Sequence, residues 1–215
     1  MIQTFQKKEI KLHSPFCAVI SGQSGSGKTS FIIKLLQHKN EVFNENFKNI
    51  LYCYGQYTKL IPNLQKLDVK INQGFPSNEL LHSIQKPLLL ILDDLMLVSK
   101  REVLAELFTK KSHHSNISIV YVTQNLFEKP MKIVRDNSQY IILLNSPSSA
   151  LQIRTLGSQL FPSNLKYFLS AYKAAVSDKK YGYLLIDLHP VSSEELRLRT
   201  NIFKEDDFQI IFIPS

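Results

Sequence analysis

Apolar runs of strand length alternate along this chain with stretches in which apolar residues recur every three or four positions. Residues 16–20 form a short apolar run that leads into a glycine. In 28–38, Phe31, Ile32, Leu35 and Leu36 fall on one face at helical spacing. Further strands are predicted at 50–54, at 87–92, which is the strongest, and at 117–122, 139–144 and 183–188. Helical patterns fill 99–111, with Val103, Leu104, Leu107 and Phe108 on one face, and also 149–160 and 164–176. Ser99 with Glu102 three positions later has the spacing of a capping box. Strands that are apolar throughout, separated by helices, predict a mostly parallel sheet covered by helices on both faces, an α/β fold. The stretch 201–215 fits this scheme less well, and 208–213 reads either as an edge strand or as a tail that binds a partner.

Composition agrees with a folded domain. The 215 residues are 44% hydrophobic and 20% charged, which excludes a mostly disordered chain and fits one domain spanning 1–215. The longest apolar stretch, 88–98, is interrupted by Asp93 and Asp94, so it is too short and too charged to span a bilayer. With no leader-like N-terminal segment either, the expectation is a soluble, intracellular protein without membrane insertion. Two cysteines, Cys17 and Cys53, both in apolar runs, do not make a disulfide framework or a zinc site. The 26 Lys and Arg against 18 Asp and Glu leave a net charge of +8, which predicts attraction to polyanions. The surplus is dispersed. Its densest points are Lys7-Lys8, Lys110-Lys111 and Lys179-Lys180, so a polyanion site has to be assembled by the fold rather than supplied by a basic tail.

Chemistry concentrates at the ends of three of the strands. Gly22-Gln23-Ser24-Gly25-Ser26-Gly27-Lys28-Thr29 matches the phosphate-binding loop G-x-x-x-x-G-K-[ST] at every fixed position. The loop follows an apolar strand and opens an amphipathic helix. Its glycines permit the positive φ angles that turn backbone N–H groups toward a phosphate, and the N-terminus of the helix completes an anion site that reaches Ser30. Lys28 then serves the β- and γ-phosphates of ATP, and Thr29 serves Mg²⁺. The strand 88–92 ends in Asp93-Asp94. Asp93 is the candidate Mg²⁺ ligand, through a water, and Asp94 the candidate base for an attacking water. In isolation, two aspartates are more often a solvated turn. The strand 117–122 runs into Thr123-Gln124-Asn125, where Gln124 is the candidate sensor of the γ-phosphate and the attacking water. Plain turn chemistry is the competing reading.

These three segments together resemble the additional-strand P-loop ATPases (the RecA-like class), in which a strand lies between the phosphate-loop strand and the acidic strand. Within that class the chain looks like the FtsK–HerA superfamily, and above all its viral branch, the genome-packaging ATPases of poxviruses and of Polinton-like and related large DNA viruses. The resemblance rests on Ser112-His113-His114, the apolar strand after it, and Thr123-Gln124-Asn125-Leu126-Phe127, with Asp93-Asp94-Leu95-Met96 and Asn145-Ser146-Pro147 in support. It covers 16–190 and leaves 191–215 as a C-terminal extension.

The resemblance implies a homo-oligomeric ring that hydrolyses ATP with Mg²⁺ and pushes double-stranded DNA, without sequence preference, into a capsid, with capsid or portal proteins as partners. If the source is viral, the expected location is the host cell at capsid assembly sites, or the virion. It also implies an arginine donated by a neighbouring subunit. Arg135, just before the strand at 139–144, is the first candidate, Arg154 the second and Arg101 the third. Cellular relatives carry arginine in the segment before the sensor strand, where this chain has Lys110, Lys111, His113 and His114, which are alternative candidates for facing DNA in the pore. Two other classes compete: a small-molecule or nucleotide kinase, and a nucleotide-gated scaffold without turnover. The scarcity of clustered arginines argues against the kinase. A GTPase is disfavoured because no Asn-Lys-x-Asp motif occurs.

Overall fold

The computed structural model describes residues 2–7, 10–57, 61–95, 101–111 and 115–214. The expected cap Ser99, and Met96, Ser112, His113 and His114, lie outside them. Of Arg101, Lys110 and Lys111 only the backbone is described.

Among the described residues the strands form one ten-stranded sheet in the order β1-β10-β9-β8-β7-β2-β6-β5-β3-β4. The strands are β1 (Ile2–Lys7), β2 (Cys17–Ser21), β3 (Asn49–Tyr54), β4 (Lys70–Gln73), β5 (Leu88–Asp93), β6 (Ile117–Thr123), β7 (Tyr140–Leu144), β8 (Tyr183–Asp187), β9 (Leu198–Thr200) and β10 (Gln209–Pro214). From β7 through β4 every neighbouring pair is parallel. From β7 outward through β8, β9, β10 and β1 every pair is antiparallel. Strand β6 lies between the phosphate-loop strand β2 and the acidic strand β5, which is the additional-strand arrangement expected from the sequence.

The uniform apolarity of the central strands follows from burial on both sides. Along β5, Leu88, Leu90 and Leu92 enter one core while Leu89 and Ile91 enter the other. Strand β7 divides likewise, with Ile141 and Leu143 on one face and Tyr140, Ile142 and Leu144 on the other. Helix α1 (Lys28–Gln37) buries Phe31, Ile32, Leu35 and Leu36 against the second face, roughly 1.5–3 kcal/mol for each side chain, and this fixes where the phosphate loop ends. The first face is covered by the helical segment beginning at Arg101, by α6 (Met131–Asp136), and by α7 (Ala150–Leu160) with α8 (Leu165–Ser177). The short helices α2 (Lys39–Val42), α3 (Ile61–Gln65) and α4 (Asn78–Ser83) fill the connections around β3 and β4.

Two departures from the sequence expectation have physical causes. The helix expected over 99–111 is α-helical over Arg101–Glu106, our α5, and widens into a π-helical turn over Leu107–Lys111. There the Thr109 hydroxyl donates to the Ala105 carbonyl at 2.6 Å and so competes for the acceptor of an α-helical bond. Strand β8, expected within a mostly parallel sheet, runs antiparallel to β7. The connection holds two helices, α7 and α8, rather than one. The hairpin returns the chain to the edge of the sheet it left, so β8 must run back down. Residues 208–213 form neither an edge nor a tail, because β10 pairs with β9 on one side and β1 on the other. No helix among the described residues is long and apolar enough to cross a membrane.

Candidate functional site

The parallel strands β2, β5 and β6 end level with one another. Ser21 pairs with Thr123 and Asp93 with Val122, so the phosphate loop, the two aspartates and the polar end of β6 emerge side by side. The ladder continues past the strands through Gly22 N–H to the Thr123 carbonyl (3.3 Å) and Asp94 N–H to the Val122 carbonyl (3.4 Å). In the loop, Gly25 has φ +78° and Gly27 +102°. Gly27 caps α1 in a left-handed conformation and no side chain accepts a capping hydrogen bond there, so the first-turn N–H groups of the helix remain available to an anion. The Lys28 ammonium lies across the loop and donates to the carbonyls of Gly22 (2.6 Å) and Gln23 (3.0 Å). The Gln23 side chain accepts from the Ser148 hydroxyl at 2.7 Å, which ties the loop to the segment after β7.

These groups line one cavity of about 370 Å³. Its walls are Ser24, Gly25, Gly27, Lys28, Thr29 and Ser30 from the loop and α1, Asp93 and Asp94 from β5, Val122, Thr123 and Gln124 from β6, and Tyr181. That volume is in the range of small-ligand sites. The Asp93 carboxylate is half-buried and accepts a short hydrogen bond from the Tyr52 hydroxyl on β3. Burial pushes its pKa up and the charge of Asp94 adds to this, while Tyr52 and Lys28 pull it down. Lys28 is shifted downward by burial, against the attraction of Asp93 and Asp94. Asp94 is exposed, with φ +52°, a left-handed conformation that aspartate tolerates better than most residues. Gln124 is exposed at the cavity wall. The turn carrying it is fixed by the Thr123 hydroxyl, which accepts from Asn125 N–H, and by the Asn125 side chain, which accepts from Phe127 N–H.

Thr29 and Asp93 present a hydroxyl and a carboxylate, the hard oxygen donors that suit Mg²⁺. Among the described residues no group of three or more His, Cys, Asp or Glu side chains could hold a metal ion. An ion here would therefore complete its shell with phosphate and water, as Mg²⁺ does in nucleotide sites. Burial raises the Cys53 thiol to about 12, so it is not a nucleophile at neutral pH.

Over residues 2–209 the sequence matches the family described as Poxvirus A32 protein. The chain belongs to the poxvirus A32 protein family. This bears out the resemblance to the viral packaging branch of the FtsK–HerA superfamily. No curated protein matches the chain in sequence. Among solved structures, it is similar to the genome packaging NTPase B204 of Sulfolobus turreted icosahedral virus 2. In complex with ATP-gammaS that protein superposes with a TM-score of 0.50 at 14% identity, over 80% of this chain and 92% of that one. The complex with AMPPCP gives the same TM-score at 15% identity. EssC (ATPases 2 and 3) from Geobacillus thermodenitrificans is similar with a TM-score of 0.50 at 10% identity, over 93% of this chain and 39% of that one. At such identities the likeness is one of fold, and the fold is that of P-loop ATPases.

Arg135 and Arg154, two of the arginines expected of this family branch, do not line the cavity. In this A32-family chain the Arg135 guanidinium donates to the Leu126 carbonyl at 2.6 Å and lies 4.4 Å from the centre of the Phe127 ring, so it braces the turn behind Gln124 in its own chain. Arg154 is exposed on α7, in a groove with Lys166 and Lys173 of α8. Two residues of the site escaped the sequence reading. Tyr52 left a faint signal, a phenol inside an otherwise apolar strand. Tyr181 left none, since Lys179-Lys180-Tyr181-Gly182 reads as a plain turn.

Proposed function

We infer that this chain is a genome-packaging ATPase that uses hydrolysis to move double-stranded DNA into a capsid. The observation that carries this is the meeting of Lys28, Asp93, Asp94 and Gln124 in one cavity of an additional-strand sheet, in a member of the poxvirus A32 protein family. ATP phosphates enter the loop of Gly22, Gln23, Ser24, Gly25, Ser26 and Gly27 and meet the N–H groups of Lys28, Thr29 and Ser30. Lys28 leaves the carbonyls of Gly22 and Gln23 for the β- and γ-phosphates, exchanging neutral acceptors for charged ones. Thr29, and Asp93 through a water, would hold Mg²⁺, which would supply positive charge to offset that of the phosphates. Asp94 accepts a proton from the attacking water as that oxygen bonds the γ-phosphorus and the bond to the β–γ bridging oxygen breaks. Gln124 orients the same water.

A finger supplied in trans must stand off its own cavity and be free to reach a neighbour's. Arg135 meets the first condition but is engaged by Leu126 and Phe127. Arg154 meets both better. Action in trans calls for a homo-oligomeric ring. DNA is held through its phosphates, and capsid or portal proteins supply the docking point. The protein then works in an infected cell where capsids assemble.

The test is ATP turnover with and without long double-stranded DNA. Wild type should show turnover stimulated by DNA. Lys28→Ala should lose both binding and turnover, and Asp94→Asn should keep ATP binding while losing turnover by at least ~100-fold. Phosphoryl transfer to a small metabolite, or partner binding without any turnover, would overturn the motor.

A further inference from the structure

We propose that Tyr181 is the stacking platform for the base of the bound nucleoside triphosphate, a role that rests on the ATPase reading above. Tyr181 belongs to the turn between α8 and β8, far along the chain from the phosphate loop, yet it lines the same cavity. Its ring lies against Gly27 so closely that a Cβ built there would stand 2.7 Å from it. Tyr181 is nonetheless 43% exposed, which leaves it accessible to a ligand. The other described residues lining the cavity are small, polar or aliphatic. A purine gains from stacking on a flat aromatic face, and among the described lining residues this ring is the one aromatic.

The order of the strands says which end of the nucleotide meets it. Asp93, Asp94 and Gln124 lie at the ends of β5 and β6, on one side of the loop strand β2. The reacting γ-phosphate must point to that side. The α-phosphate and nucleoside therefore leave the loop toward the opposite side, where β7 and β8 lie and where Tyr181 precedes β8.

The backbone is arranged at some cost to put the ring there. Tyr181 has φ +63°, an outlying conformation for a bulky residue, although glycine is its neighbour. Gly182 is needed where it is, since a Cβ on it would come within 2.5 Å of the Ala175 carbonyl. The turn is also held from outside. Lys179 pairs with Asp206, Gly182 N–H donates to the Lys179 carbonyl at 2.9 Å, and the Lys180 ammonium lies 5.1 Å from the centre of the Tyr181 ring. Such a platform is ordered before the ligand arrives, which lowers the entropy lost on binding.

The protein contains no tryptophan, so Tyr181→Trp introduces a sole reporter. Its fluorescence should be quenched on titration with ATP and unaffected by inorganic tripolyphosphate, which fills the loop without a base. By calorimetry, Tyr181→Ala should bind ATP roughly tenfold more weakly, with tripolyphosphate affinity unchanged. Equal losses for both ligands would mean that the ring only braces the loop, and unaltered ATP binding would mean that it touches no base; either sinks the proposal alone. Failure of wild type to bind ATP would overturn the nucleotide site and this inference with it.

Discussion

Asp93 is a carboxylate whose surroundings favour its neutral form. Burial and the neighbouring charge of Asp94 raise its pKa, and the Tyr52 hydroxyl and the Lys28 ammonium offset this only in part. A folded-state pKa above the unfolded one means that the folded protein binds the proton more tightly. Stability then falls as pH rises from the ordinary value of 3.8 through the raised one, and stays lower above it. A cation beside the carboxylate would offset this cost, which suits the metal-ligand role proposed for the residue. We expect ligand-free Asp93→Asn to melt no lower than wild type at pH 7, with any gain closing as pH falls below the ordinary carboxylate range, and to lose ATP turnover. Calorimetric melts across pH would check this, and a variant that melts well below wild type at pH 7 would contradict it. Lys28 shows the complementary case: burial weakens its hold on the proton, and the phosphates of a nucleotide would strengthen it.

At the scale of elements, what could be read in advance was what burial writes into composition. Strands β2, β5, β6, β7 and β8 are apolar because helices or loops cover both faces, and α1 is marked by its four buried residues. The phosphate loop, Asp93, Asp94 and Gln124 were legible because each follows such a strand. The missed strands lack that mark. β4 is four residues with none buried, and β9 has only three residues. β1 carries only two apolar residues, Ile2 and Phe5, three positions apart, and its partner is nearly the whole chain away. Arg199 in β9 is fully buried, paired with Asp187 of β8 and bonded to Gln209 of β10. Asp187 in turn accepts from Ser192 and His189 N–H. Removing one partner leaves an uncompensated buried charge. Asp187→Ala should therefore cost about 3–5 kcal/mol in denaturant unfolding, and an apolar replacement of both residues should recover much of it. A loss below about 1 kcal/mol would show that water or another group takes the aspartate's place.

At the scale of the molecule, the sheet has two halves: a parallel block that presents the nucleotide cavity, and an antiparallel wing that carries Tyr181 at its inner margin. The net charge of +8 is spread over this body, and the groove of Arg154, Lys166 and Lys173 is one place where it gathers. A motor that passes any sequence must hold phosphates rather than bases. We therefore expect affinity for duplexes of unrelated sequence to be alike and to fall steeply with salt, with a log–log slope of roughly −0.9 for each phosphate neutralised. Fluorescence anisotropy between about 50 and 200 mM salt measures it, and a flat response would count against DNA as the cargo.

The pairing of β1 with β10 joins residues 2–7 to residues 209–214 and sets an order of events during synthesis. As the chain leaves a ribosome, β2 through β7 find all their parallel partners within residues 17–144, and the cavity walls they carry can form early. Strand β1 has no partner until Gln209–Pro214 has been made. Closing so long a loop costs little more than closing a shorter one, because the entropy grows only with the logarithm of length. The delay is one of time rather than of free energy. Among the described strands, β1 precedes β2 yet waits for β10, and substitutions in it would weaken the margin of the finished sheet while leaving assembly of the phosphate loop undisturbed.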